Sequence, residues 1–409
     1  MKKIAFISHE QLFPVTSGNR RRMFTAVEYL RSHGADVHFF LINGQVTGDM
    51  KVDSYHDEYF GLENFTKLTP NRTIINQLKY IYKGIRRKLR KISGNLGVTR
   101  YLYTPIDENC FEIPYYKNFD IVYINYIFNS WTLLHFGGAA KKILDTHDKF
   151  SERHERFKSF FPSVYSGFWI ALTEKEEASC LKKFDVVLAI QSEEAAAFKG
   201  ILSRSLSSSP MSLPDIKTVE LFHTTKIKDD AQSVSVIDRF PKFFFLGSDN
   251  PSNIQALKIL VEIILPVLLR QIPDFKLNIF GSVGSAKKNM YQDNPGLVIH
   301  GYIDDISTQI QLGDVLINPI QSGTGLAIKI LDVLAYGCCV VGTEFGMRGF
   351  PEDIKDNNLL VNSTQIDELA DMCLQIYKNP QSAKSIGRSN KILYNNWVVK
   401  IQKNLEHLI

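Results

Sequence analysis

The 409-residue sequence is poor in the features that would mark a secreted, fibrous, membrane-spanning or metal-clustered protein. Its five cysteines, Cys110, Cys180, Cys338, Cys339 and Cys373, are scattered, odd in number and without a CxxC spacing. That argues against a zinc ribbon or a disulfide scaffold and for a reducing compartment. No 18 consecutive residues are apolar, so no spanning helix is expected. The apolar start Met1–Ile7 meets Ser8-His9-Glu10 too early to be a signal segment. Charge of one sign is not in excess: a net +5 alone implies no nucleic acid. No DxD motif closes a strand of the first half, and no His/Cys set has metal-ligand spacing. The first strand is not followed by GxGxxG, which a nicotinamide dinucleotide normally needs. What remains is ordinary globular composition, 44% hydrophobic and 22% charged, in a chain long enough for about two domains.

The apolar runs alternate in type. Lys3–Ser8 reads as a buried parallel strand, followed by the turn-rich Pro14–Gly18. Arg20–Ser32 reads as a helix with Met23, Ala26, Val27 and Leu30 on one face. Val37–Ile42, Asp120–Asn125, Lys142–Leu144, Asp185–Ile190 and Lys217–Phe222 are further expected strands. Ser203–Pro214 reads as a loop and the polar Lys226–Arg239 as a linker. A second cycle then begins with strand Phe243–Leu246, helix Ile254–Leu269 and strands Lys276–Phe280, Leu297–His300 and Val315–Ile317. Helix Leu326–Tyr336, strand Cys339–Val341 and helical segments Ile366–Tyr377 and Asn390–Ile409 complete it. Repeated strand–helix alternation predicts an α/β protein of two doubly wound, Rossmann-like domains, with ligands at the carboxyl ends of the strands, in a cleft between them.

The most informative segment is Asn318–Gly349, NPIQSGTGLAIKILDVLAYGCCVVGTEFGMRG. A strand runs into a glycine loop and then a helix expected to start near Thr324-Gly325, with Thr324 as N-cap. Free N–H groups there suit a diphosphate. Gly325, Lys329 and Asp332 fall on one helical face, placing a cation near phosphates and a carboxylate near ribose hydroxyls. The alternative is a surface Lys–Asp pair on an amphipathic helix.

This segment resembles the donor-binding signature of GT-B glycosyltransferases, in particular retaining family 4, G-x-G-x-x-x-K-x-x-E-x-x-A-x-G-x-P-V-V. The matching residues are Gly323, Gly325, Lys329, Asp332, Ala335, Gly337, Val340 and Val341. FFFLGSDNPSN over Phe243–Asn253 resembles the first strand and loop of the C-terminal domain. Gly18 resembles the N-terminal glycine of the family, and Asp145-Thr146-His147-Asp148 its mid-sheet HD segment. The sequence departs from the pattern in four places: Thr324 replaces the first acid, Asp332 is shorter than the second, Cys339 replaces the proline, and Gly247–Leu257 holds no basic residue.

The resemblance implies a retaining transferase; without a DxD motif or metal-ligand spacing, it is expected to be metal-independent and to need no cofactor. Lys329 and Asp332 would serve the donor, with contacts from Gly18, Gly247, Ser248, Asn253, Thr324, Gly325 and Leu326. Gly281, Ser282 and Tyr302, in the loops after two consecutive strands, would surround the nucleotide base, although ordinary strand-to-loop turns account for them equally. His147 would line the acceptor side and touch the donor sugar; a capping or loop-bridging histidine is the other reading. Phosphate charge would rest on Lys329, the helix N-terminus and an arginine of the first helix, where Arg20, Arg21 and Arg22 otherwise read as a solvated face. The expected domains are residues 1–225 for the acceptor, 226–385 for the nucleotide sugar, and 386–409 as a helix crossing back.

Ile74–Ile92 is a separate feature: apolar residues at helical spacing among seven Lys and Arg from Lys79 to Lys91, with no acid between. It fits an anionic membrane surface or a charged helix packed on its own sheet, and both readings stay open. Nucleic acid is a poorer fit. The expected function is thus transfer of a sugar from a nucleotide sugar to a glycan or lipid-linked acceptor in bacterial surface polysaccharide synthesis, in the cytoplasm or at the inner membrane face. A nucleotide-sugar epimerase on the same scaffold and a non-catalytic nucleotide-sugar or glycan binder are the alternatives.

Overall fold

A computed structural model describes residues 1–15, 17–42, 50–68, 116, 118–136, 140–151, 172–205, 213–222, 239–286, 288–291, 293–303, 305–323, 327–405 and 408. The chain divides into two compact units. One comprises Met1–His223 with Asn404–Ile409, the other Thr224–Lys403.

The first unit is built on seven parallel strands: β1 (Lys3–Ser8), β2 (Asp36–Ile42), β3 (Phe65–Leu68), β4 (Ile121–Asn125), β5 (Lys141–Asp145), β6 (Val186–Ala189) and β7 (Asp215–Thr218). Their order is β3-β2-β1-β4-β5-β6-β7. The strands lack polar alternation because helices cover both faces, so Ile4, Ala5, Phe6 and Ile7 are all fully buried. The order reverses between β1 and β4, the place where loops diverge to opposite faces and leave a crevice. Helix Gly18–Ser32 buries Met23, Ala26, Val27 and Leu30, the stripe its spacing predicts. It also buries Arg22, so one member of the arginine triplet turns inward rather than onto the solvated face. Sequence spacing cannot see the partner: Arg22 Nε donates to Asp145 Oδ1 and Oδ2 at 2.9 and 3.0 Å.

The second unit repeats the plan with six strands: β8 (Phe243–Leu246), β9 (Leu277–Phe280), β10 (Leu297–Gly301), β11 (Val315–Asn318), β12 (Cys339–Thr343) and β13 (Leu359–Val361). Their order is β10-β9-β8-β11-β12-β13, reversing between β8 and β11. Helix Pro251–Gln271 is capped by Asn250, whose side chain accepts from Asn253 N at 2.9 Å, with proline in the first turn. Its mean hydropathy reaches 1.7, enough by length and composition to cross a membrane, although no unbroken 18-residue apolar run occurs. Ala256, Leu257, Leu260, Ile264, Leu265 and Leu268 instead pack into the core of this unit.

Several elements differ from expectation. Helix Met50–Phe60 and the short edge strands β3 and β13 carry too weak a pattern to be read. The strand expected over Lys217–Phe222 lies earlier, at Asp215–Thr218. The last helix runs over Pro380–Leu405, starting ten residues before its expected first residue, Asn390. The basic stretch 74–92 and most of both the Ser203–Pro214 loop and the Lys226–Arg239 linker lie outside the described residues.

Candidate functional site

In the second unit the expected donor residues meet at the carboxyl ends of β8, β9 and β11. Gly281, directly after β9, has φ +93, and a Cβ there would overlap Gly247 O after β8. The two loops approach that closely because neither residue carries a side chain. Gly247 N donates to Phe280 O at 3.0 Å, and Gly281 N donates to Gly301 O at 2.6 Å, which links the Gly301-Tyr302 turn to the same edge. Tyr302 is half-exposed. Ser282 Oγ accepts from Asp249 N at 2.9 Å. Ser248 is exposed, and its carbonyl accepts from Asn253 Nδ2 at 2.9 Å.

Asn253 presents its other end, Oδ1, to Lys329, whose Nζ donates to it at 3.2 Å and lies 4.5 Å from the centre of the Phe245 ring. The Lys329 ammonium is therefore enclosed at this edge. Burial, and next the positive Arg348, lower its pKa from 10.5 to about 7. No carboxylate among the described residues forms an ion pair with it. An anion arriving here would hold Lys329 protonated. Asp332, one turn further along the helix, is buried.

The helix bearing these residues corrects one expectation. It spans Ile328–Ala335, and its N-cap is Ala327, without a side-chain cap bond, rather than Thr324. Gly323 has φ +140, a conformation that takes the chain out of helical geometry before the helix starts. Lys329 thus sits in the first helical turn, where the dipole opposes a cation and adds to the advantage of a bound anion. Thr324, Gly325 and Leu326 lie outside the described residues.

The first unit has a second polar cluster, at the carboxyl ends of β1, β4 and β5. His147 and Tyr126 both adopt positive φ, +60 and +66, rare for residues with side chains and characteristic of functional sites. Their rings stack at 4.2 Å and 12°. His147 Nε2 lies 2.9 Å from Asn125 Oδ1, while Asn125 Nδ2 donates to Ile7 O at 3.1 Å. That second bond fixes the amide, so the neutral imidazole carries its proton on Nε2 and keeps Nδ1 as acceptor. The His147 side chain is only 4% exposed. Burial lowers its pKa to about 4, although Asp145 works in the opposite direction. His9, after β1, is held the same way: Asn129 Nδ2 donates to its Nδ1 at 3.0 Å, and burial with His147 nearby lowers it to about 3.

Beneath this cluster Asp145 accepts from Arg22 and from Tyr123 Oη at 2.9 Å, while Arg22 Nη1 donates to Val219 O at 2.8 Å. One buried ion pair thereby joins the first helix, two central strands and the segment after β7. Gly18 is exposed and opens the first helix without positive φ. Sequence reasoning passed over His9, Tyr126, Asn125, Asn129 and Arg348. Only the polar Ser8-His9-Glu10 after an apolar run, and Arg348 inside the glycine-rich segment, offered a signal.

Residues 240–379 match the family described as glycosyl transferases group 1. A 44.6 kDa, uncharacterised protein from the cps region of Klebsiella pneumoniae is 24% identical over 369 residues, covering 85% of this chain and 84% of its own. Among solved structures, a variant of S. aureus TarM in complex with fondaparinux, α-GlcNAc-glycerol and UDP is similar with a TM-score of 0.61 at 14% identity, over 99% of both chains. HepE of Anabaena in complex with UDP and glucose gives 0.59 at 12% identity, over 99% of this chain and 98% of its own. These structural likenesses establish the fold, and the sequence match lies on the unit that holds Lys329. The second unit thus carries a group 1 glycosyltransferase domain within a chain of GT-B architecture, and the enzyme is a glycosyltransferase.

Proposed function

We propose that the protein transfers a glycosyl group from a nucleotide-sugar donor to a glycan or lipid-linked acceptor in bacterial surface polysaccharide synthesis, with retention of anomeric configuration and without a metal ion. The relative from a cps region and the UDP held by TarM and HepE support this reading. The observation that carries it is the enclosed Lys329 ammonium, held by Asn253 and Phe245 beside Arg348 at the carboxyl edge of the second sheet.

In the proposed reaction the bond between the anomeric carbon and the donor's diphosphate oxygen breaks. The acceptor oxygen bonds to that carbon on the same face, and its proton goes to the departing diphosphate. Lys329 stabilises the charge that develops on the leaving group, and an enclosed cation does so more effectively than a solvated one. No side-chain base is needed. His147, neutral and clamped by Asn125 and Tyr126, serves as a positioning residue of the acceptor-binding unit.

The test is incubation with a panel of UDP-, GDP- and dTDP-sugars and oligosaccharide or lipid-linked acceptors, with and without EDTA, following nucleotide release and the product anomer by NMR. Release of one nucleoside diphosphate, an unchanged rate in EDTA and a product of the donor's anomeric configuration are expected. An inverted anomer removes retention, and loss in EDTA reversed by a divalent ion removes metal independence. No release from any donor removes the reading as a whole.

A further inference from the structure

The loop after β8 carries no lysine or arginine from Gly247 to Leu257, so a diphosphate at this edge would lack a second cation from that loop. A different segment supplies one. After β12 the chain makes a single turn, Phe345–Met347, and Arg348 follows it. Its Nη1 donates to Phe345 O at 3.3 Å, and its guanidinium lies 4.9 Å from the centre of the Phe345 ring. Buried Met347 anchors the turn from below. The guanidinium also reaches the glycine loop before the Lys329 helix: a Cβ on Gly323 would lie 3.1 Å from Arg348 Nη2 and 3.6 Å from Ser252 Oγ. Arg348 is thus pinned as a flat fork at the backbone of Gly323.

We infer that Arg348 is a second anchor for the donor's diphosphate, acting with Lys329 in place of the basic residues missing from the loop after β8. The inference rests on the donor reading above and names a contact which that reading does not contain. A planar guanidinium stacked on an aromatic ring is preorganised to bind two phosphate oxygens, and Lys329 contributes a point charge beside it. Two cations close enough for one to depress the other's ionisation are unfavourable on their own, and a shared dianion relieves that repulsion. A side chain at Gly323 would touch the guanidinium.

The experiment is calorimetric titration of the full chain and of R348M with UDP, GDP and ADP. Each titration is run at pH 7 in two buffers of different ionisation enthalpy, so that proton uptake on binding is also counted. Loss of a charge-assisted contact predicts diphosphate affinity about 10- to 100-fold weaker in R348M. Proton uptake should also fall, because removing the positive neighbour takes away the second cause, after burial, of the lowered Lys329 pKa. R348Q keeps a donor for Phe345 O without the charge and gives the readout if R348M does not fold; the same loss is expected. Affinity within about 2-fold of wild type with unchanged proton uptake overturns the proposal and leaves the donor reading standing. If the wild-type protein binds none of the three diphosphates, both fall.

Discussion

Replacing Lys329 by methionine should raise stability and abolish most activity in the same molecule. The buried ammonium has its pKa lowered from 10.5 to about 7. At 1.36 kcal/mol per pH unit, holding it charged in the folded state costs about 5 kcal/mol as an upper bound. The sign follows from proton counting. Between pH 7 and 10.5 the unfolded chain keeps the lysine proton and the folded chain releases it, so wild-type stability rises with pH across that window. Below pH 7 both states are protonated and the full cost is present. Methionine fills nearly the same volume without the charge, so Lys329→Met should unfold at higher denaturant concentration than wild type at pH 7. The difference should shrink as pH approaches 10. Transfer activity should fall by at least about 100-fold, the scale of one lost electrostatic stabiliser. Parallel urea titrations at pH 7, 8.5 and 10, with initial rates on the donor found by screening, make the check. A variant that is less stable than wild type at pH 7, or whose stability difference is flat with pH, refutes the burial argument. Normal turnover refutes the catalytic one.

Three further outcomes follow from the same geometry. Arg22→Met strands Asp145 as a buried carboxylate without its ion partner, so stability should drop by about 3–5 kcal/mol in urea unfolding, with Arg22→Met/Asp145→Asn recovering much of it. His9 and His147 stay neutral in the fold down to about pH 3 and 4 but accept protons near 6.5 when unfolded. Unfolding free energy should therefore fall as pH drops below about 6.5, by up to about 1.4 kcal/mol per pH unit for each ring, and His147→Asn should flatten that slope. Gly281→Ala places a methyl against Gly247 O at a positive φ; nucleotide affinity and melting temperature should both decline, whereas Ser282→Ala, which removes a single bond to Asp249 N, should lower them far less.

The central strands were legible because each is a short run with an apolar centre and no polar alternation, as in a parallel sheet covered on both faces. The Ile328–Ala335 helix was legible for a similar reason, although its start was misplaced: Thr324 has the chemistry of a cap, but the conformation of Gly323 carries the chain past it and the helix begins four residues later. Lys329 stood out because it lies at fixed spacing from glycines. Arg348 did not, since its position beside Gly323 comes from the register of β11 and β12, a relation between strands rather than along the chain. The same holds for His9, Asn125 and His147, which follow or end three different strands and meet only because β1, β4 and β5 are neighbours. Which arginine of the triplet turns inward was not legible, because a carboxylate 123 positions away decides it.

The final six residues return to the first unit: Leu408 is fully buried, Lys141 Nζ donates to its carbonyl at 3.0 Å, and Asn404 Nδ2 reaches Thr218 O at 3.4 Å. The first unit is therefore finished only by residues that follow the whole second unit along the chain. During synthesis the contacts of Leu408 and Asn404 must wait until the intervening unit has been made. Truncation ahead of Asn404 would injure the unit lying farthest from the cut in the chain.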